Sequence, residues 1–245
     1  MEQLFLKDPY NPSPIMKDVY RRIRTNLMFT GVENKVICVT SCGAGEGKSL
    51  VTFALARVFA ENGSRVLIID SDLRNSYLYK RFGVSSSMLG LSHYLSGQAT
   101  REETICETDI LNLYLLPSGV ARSNSTELLG KGRMKQLLAE VKEVFDYVLV
   151  DTAPLGLLVD AAVVASLCDG SVMVVDTGNN SRRTVAAVHN QLIQANPNFL
   201  GVILNKIDES NRGYGKNYGY NYGYSYGYGY GYGYGQTEKQ GSGKK

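Results

Sequence analysis

Ten residues, T-S-C-G-A-G-E-G-K-S from Thr40 to Ser49, constrain this chain more than any other stretch. They stand between a continuous apolar run, Lys35–Ser41, that reads as a buried strand and an apolar helical pattern over Leu50–Ala60. Glycines at 43, 45 and 47 let the backbone turn its N–H groups inward, and the helix adds the positive end of its dipole. A strand, such a loop and a helix opening on G-K-S form a cradle for phosphate oxygens. Gly43, Ala44, Gly45, Glu46, Gly47, Lys48, Ser49 and Leu50 would line it. Lys48 would reach the β- and γ-phosphates, and the Ser49 hydroxyl would ligate Mg²⁺. Cys42 replaces the first glycine of the standard spacing. A dinucleotide fingerprint is excluded, because Lys48 sits where its third glycine would fall.

Around this motif short β-branched runs alternate with helical patterns. Asp18–Phe29 reads as a helix, with Val19, Ile23 and Leu27 at i, i+4 and i+8, after an extended lead-in marked by Pro9, Pro12 and Pro14. Further strands are expected at Arg65–Asp70, Leu113–Leu116, Tyr147–Asp151, Ser171–Asp176 and Gly201–Asn205. Further helices are expected at Lys131–Glu143, Ala161–Leu167 and Arg182–Ala195. This alternation predicts an α/β fold of the P-loop NTPase type, a mostly parallel sheet flanked by helices on both faces. One domain is expected over residues 1–207, with a helix at about 15–30. Apolar periodicity stops near Asp208, so residues 208–245 read as a disordered Gly/Tyr-rich tail.

Composition narrows the setting. A net charge of +3 is too mild to argue for nucleic acid. No apolar run reaches the roughly 18–20 residues of a membrane helix, and the N-terminus lacks the apolar region of a signal peptide. Cys38, Cys42, Cys106 and Cys168 have neither paired spacing nor nearby histidines, so no zinc site is expected and a reducing cytoplasm fits best. Cys42, near a helix N-terminus, invites a redox role, although a small buried filler is the preferred reading.

A phosphate loop needs acids for its metal. Asp151 closes the run YVLVD and is followed by T-A-P, the shape of a Walker B strand. Asp70 and Asp72, in LIIDSDLR, form a second pair leaving a strand. One could hold metal-bound water while the other accepts a proton from a hydroxyl nucleophile. The plainer alternative for this pair is a solvated, capped turn. Asn205–Lys206–Ile207–Asp208 fits the N-K-x-D string that reads guanine in GTPases.

Together GEGKS, LIIDSDLR and VLVDTAP closely resemble the bacterial tyrosine kinases that regulate capsule or exopolysaccharide export, in the type whose membrane part is a separate polypeptide. The resemblance covers almost the whole chain. It implies that Lys48 and Ser49 bind phosphates and Mg²⁺ and that Asp151 supports the metal. It also implies that Asp70 activates the attacking tyrosine hydroxyl, with Asp72 as a second metal or positioning group. It implies ATP rather than GTP, with Asn205 near the adenine. The family's E-x2-R-x2-R helix, which closes a ring of subunits, is matched by Asp18, Arg21 and Arg24, aspartate replacing glutamate. A transmembrane adaptor, a ring-like homo-oligomer, a cognate protein-tyrosine phosphatase and recruitment from the cytoplasm to the inner membrane face are implied as well.

The tail then acquires a role. Tyr214, Tyr218, Tyr220, Tyr222, Tyr224, Tyr226, Tyr228, Tyr230, Tyr232 and Tyr234 lie in a glycine-rich stretch in which Lys216 is the one charge between Gly213 and Gly235. The whole segment of about 38 residues from Asp208 on, if flexible, spans roughly 31–37 Å, enough to reach a neighbouring subunit. The kinase reading makes these tyrosines its substrate in trans. A MinD- or ParA-type ATPase switch is the alternative, but the signature lysine near the start of its loop is Gly43 here. A third reading, an aromatic self-associating segment on an inert domain, leaves the nucleotide loop unexplained.

Overall fold

The computed structural model describes residues 3–6, 12–78, 84 and 88–207. The expected tail, with its ten tyrosines, and Asp208 of the N-K-x-D string lie outside the described residues.

Among the described residues eight strands form one sheet: β1 (Gln3–Leu4), β2 (Val36–Ser41), β3 (Val66–Asp70), β4 (Cys106–Thr108), β5 (Leu113–Leu116), β6 (Tyr147–Asp151), β7 (Gly170–Asp176) and β8 (Phe199–Asn205). Their spatial order is β1-β4-β5-β3-β6-β2-β7-β8. Every neighbouring pair is parallel except β4 with β5. Eight helices accompany them among the described residues: α1 (Pro14–Met28), α2 (Lys48–Ala60), α3 (Leu91–Leu95), α4 (Arg101–Thr104), α5 (Ser125–Leu129), α6 (Gly132–Val144), α7 (Asp160–Ala165) and α8 (Arg182–Ala195).

The strands are apolar on both faces because both faces are covered. Along β3, Val66 and Ile68 join the cluster under α1 and α2, while Leu67 and Ile69 join the one under α5 to α8. Ile37 and Cys38 divide β2 in the same way. Helix α2 carries apolar residues around most of its circumference and has no exposed position, because it lies between the sheet and α1. Phe59 on α2 is 1% exposed and stacks on Tyr147 at 4.2 Å.

The expected architecture is present; the short helices α3, α4 and α5 were not expected, and three further differences are local. Helix α1 begins at Pro14, four residues earlier than the apolar spacing predicts, because the Ser13 hydroxyl caps it by accepting from Met16 N at 3.3 Å. Pro14 therefore belongs to the helix rather than to the extended lead-in, at the position where a missing N–H costs nothing. Strands β1 and β4 were not anticipated: two or three residues are too few to show a period. Strand β8 starts at Phe199 and passes Gly201 through an irregularity in its register with β7.

Phe59→Ala should lower unfolding free energy by about 3–5 kcal/mol, the range for a large buried side chain removed from a packed core. Urea denaturation of the two forms measures this.

Candidate active site

A parallel sheet delivers the C-terminal ends of its strands to one edge, where the loops part. Here Asp70 of β3 lies in register with Asp151 of β6, and Asp151 with Val39 of β2. On the far side Asp176 of β7 stands opposite Asn205 of β8. Ser41 ends β2 among them and opens the loop that leads into α2.

That loop is shaped by Gly45 (φ +75°) and Gly47 (φ +89°), a left-handed backbone that favours glycine. A Cβ on Gly47 would come within 2.2 Å of Asn205 Nδ2. Two side chains from the end of β8 hold the loop's outward carbonyls: Asn205 Nδ2 donates to Glu46 O at 2.8 Å, and Lys206 Nζ donates to Gly45 O at 2.7 Å. Lys206 also pairs with Asp176 at 2.9 Å. The loop's entrance is tied to the exit of β6, where Thr40 Oγ1 donates to Ala153 O and Thr152 Oγ1 to Val39 O.

Lys48 opens α2, and its Nζ donates to Asp151 Oδ1 at 2.7 Å and to Ser49 Oγ at 3.1 Å. The lysine is 7% exposed and the aspartate 1%, so each charge is compensated chiefly by the other. Asp70 is wholly buried beside them. Burial first, and then the Asp151 charge, push its carboxyl up to about 7, against smaller opposing effects of the Ser76 hydroxyl and Lys48. Ser71 closes the gap between the strands, donating from both N and Oγ to Asp151 O at 2.8 and 2.7 Å.

Asp72 is arranged differently. Its Oδ1 accepts from Asn75 N at 3.0 Å and Arg74 N at 3.4 Å, the capped turn weighed as the plainer alternative. Lys48, Ser49, Asp70 and Asp151 are thus brought together, while Asp72 reaches Asp70 through its backbone N–H, which donates to Asp70 Oδ1 at 3.2 Å, and through its charge. The oxygen donors of Ser49, Asp70 and Asp151 suit Mg²⁺, and two carboxylates forced side by side are the electrostatic load that a divalent cation relieves.

On α1, Asp18 and Arg21 are exposed and paired at 3.0 Å, but Arg24 Nη1 donates to Val58 O of α2 at 3.1 Å. Two residues escaped the sequence reading. Lys206 was visible only as part of a guanine-reading string, yet its ammonium grips the loop. Asp160, at the head of α7, accepts from Arg74 Nε at 3.0 Å and Ser125 Oγ at 2.6 Å, and also from Thr126 Oγ1. An acid at a helix start was its one signal.

A family model described as an AAA domain matches residues 34–200. The tyrosine-protein kinase CpsD of Streptococcus agalactiae is 42% identical over 199 residues, 81% of this chain and 87% of that protein. This chain belongs to the bacterial tyrosine-protein kinase family. Among solved structures, the kinase domain of Escherichia coli tyrosine kinase ETK superposes with a TM-score of 0.75 at 32% identity, covering 89% of this chain and 80% of that one. The septum site-determining protein MinD of Pyrococcus horikoshii OT3, complexed with Mg-ADP, gives 0.62 at 27% identity over 73% of this chain and 72% of that one. The switch-type ATPases are thus the more distant relation, and the loop is a nucleotide-binding P-loop.

Two measurements probe the site's electrostatics. Asp70 holds its proton more tightly in the folded chain than in the unfolded one, where its ordinary value is 3.8. Its contribution to stability is therefore full below about pH 4 and lost as pH rises through about 7. Asp70→Asn, without nucleotide or Mg²⁺, should raise thermal stability most at pH 8, by up to about 4 kcal/mol, and less at pH 5.5. An equal gain at both pH values would contradict this origin. Cys42 is 3% exposed, and burial followed by the Glu46 charge raises its thiol to about 11. A redox switch there lacks the thiolate it needs, so Cys42 should react with iodoacetamide at pH 7.5 at least tenfold more slowly than an exposed thiol.

Proposed function

We propose that this chain is an ATP- and Mg²⁺-dependent protein tyrosine kinase whose principal substrate is the tyrosine cluster of its own C-terminal segment, presented by a neighbouring subunit. The observation that carries this reading is the place of Asp70: a fully buried carboxyl in register with Asp151, one strand from the ion pair of the P-loop lysine, where burial and the Asp151 charge raise its pKa. An acid poised near the working pH is suited to take a proton from a weakly acidic phenol.

In this reading Lys48 exchanges Asp151 for the β- and γ-phosphates of ATP, and Asn205 lies against the adenine. Ser49 and Asp151, with Asp70 and Asp72 nearby, hold Mg²⁺, which would neutralise phosphate charge. The tyrosine oxygen bonds to the γ-phosphorus as the bond from that phosphorus to the β–γ bridging oxygen breaks. The phenolic proton passes to Asp70, and ADP leaves with the bridging oxygen. Asp72, committed to its own turn, positions rather than reacts. Each phosphate adds about −1.5 to −2, so ten modified tyrosines would carry on the order of −15 to −20. Such charge would drive apart the subunits of a ring closed through Asp18, Arg21 and Arg24. Because Arg24 is already bound to α2, Asp18 and Arg21 are the pair free to face a neighbour.

No helix among the described residues is long and apolar enough to cross a membrane. A separate transmembrane adaptor of polysaccharide export would bring the cytoplasmic kinase to the inner membrane face, and a cognate tyrosine phosphatase would reset it.

Incubation with labelled ATP and Mg²⁺ tests the proposal. Label should appear on tyrosine and fall at least a hundredfold in Lys48→Met, in Asp70→Ala and in a chain ending at Asn211. ATP hydrolysis without protein labelling would favour the switch-type ATPase instead.

A further inference from the structure

Glu46, the residue before the last glycine of the P-loop, is 4% exposed. Among the described residues it forms no ion pair with a cation. Its carboxylate instead accepts two backbone N–H bonds: Oε1 from Gly43 N, three residues back in the same loop, and Oε2 from Asp176 N, at the end of β7, at 3.3 Å. The room there is closely matched, since a Cβ on Gly43 would stand 3.0 Å from Oε1. Burying a carboxylate is costly unless its oxygens are satisfied, and this one lies beneath a loop built to receive other anions. Charge therefore argues against an acid at this position. What a carboxylate offers is two acceptor oxygens on one rigid fork, here spanning the loop and the sheet.

We infer that Glu46 is a positioning residue that holds the P-loop in its phosphate-binding shape from behind. A loop that turns its N–H groups inward must satisfy its outward carbonyls elsewhere, and Asn205 and Lys206 do so for Glu46 and Gly45. Glu46 supplies the complementary tie, fixing the amide of Gly43 in the half of the loop that no positive-φ glycine constrains. The loop is thereby clamped to the ends of β7 and β8 as well as to β2 and α2. Glu46 touches no reacting atom, so its contribution falls on nucleotide affinity rather than on turnover. This inference rests on the kinase reading, since it presumes that the loop holds ATP.

The test compares the full chain with Glu46→Gln, Glu46→Asp and Glu46→Ala. It measures the dissociation constant of fluorescent Mg-ADP by titration, and KM for ATP and kcat for tyrosine labelling. Gln keeps one acceptor on the right fork and should weaken ADP binding about tenfold. Ala loses both ties and should weaken it about thirtyfold or more. Asp, one methylene short of spanning the two amides, should behave as Ala does. In all three KM should rise in step while kcat stays within about twofold. Dissociation constants within twofold of the parent would overturn the inference, as would a fall in kcat at unchanged KM. If Glu46→Ala does not fold, as judged by thermal unfolding, the isosteric Glu46→Gln decides alone. A parent chain that binds no nucleotide would instead overturn the kinase reading itself.

Discussion

The buried pair between Lys48 and Asp151 is the contact on which the rest of the site depends. Its partners lie 103 residues apart in the chain, the first residue of α2 and the last of β6, and they meet because β2 and β6 are neighbours in parallel register. Either charge alone would be costly at that depth. The same aspartate raises the carboxyl of Asp70 on the next strand, so one pair holds the lysine and also prepares the acid beside it. The ion pair and the Asp70 carboxyl are therefore electrostatically linked across three adjacent strand ends.

Much of this was legible in the sequence because it is written in local patterns. The continuous apolar runs identified the buried strands, since a parallel sheet covered on both faces needs no alternation. G-K-S after such a run placed Lys48, and an aspartate ending two other runs placed Asp70 and Asp151. Strand order was not legible: nothing in YVLVD says that it lies between β2 and β3, yet that position puts the two acids side by side.

The sequence misread contacts made across the fold. Asp72 looked like a second metal or positioning group beside Asp70, but its carboxylate accepts from backbone amides of its own turn. Arg24 looked like part of an exposed charged motif, but its guanidinium binds a carbonyl of the neighbouring helix. Lys206 and Asp160 serve partners 161 and 86 residues away in the chain, distances at which no spacing rule operates. Side chains that brace other segments have no local signature.

Helix α2 illustrates what such a site imposes on its surroundings. It has no exposed residue, it is enclosed by the sheet and α1, and its first residue is the lysine of the phosphate loop. A substitution along it has no solvent into which to relax, so altered volume passes to the strands beneath, to α1 or to the loop at its head. Neutral variation should accordingly be scarce on this helix and collect on elements such as α8, where most positions face water. The kinase's slowest-changing segment would then be set by packing as much as by chemistry.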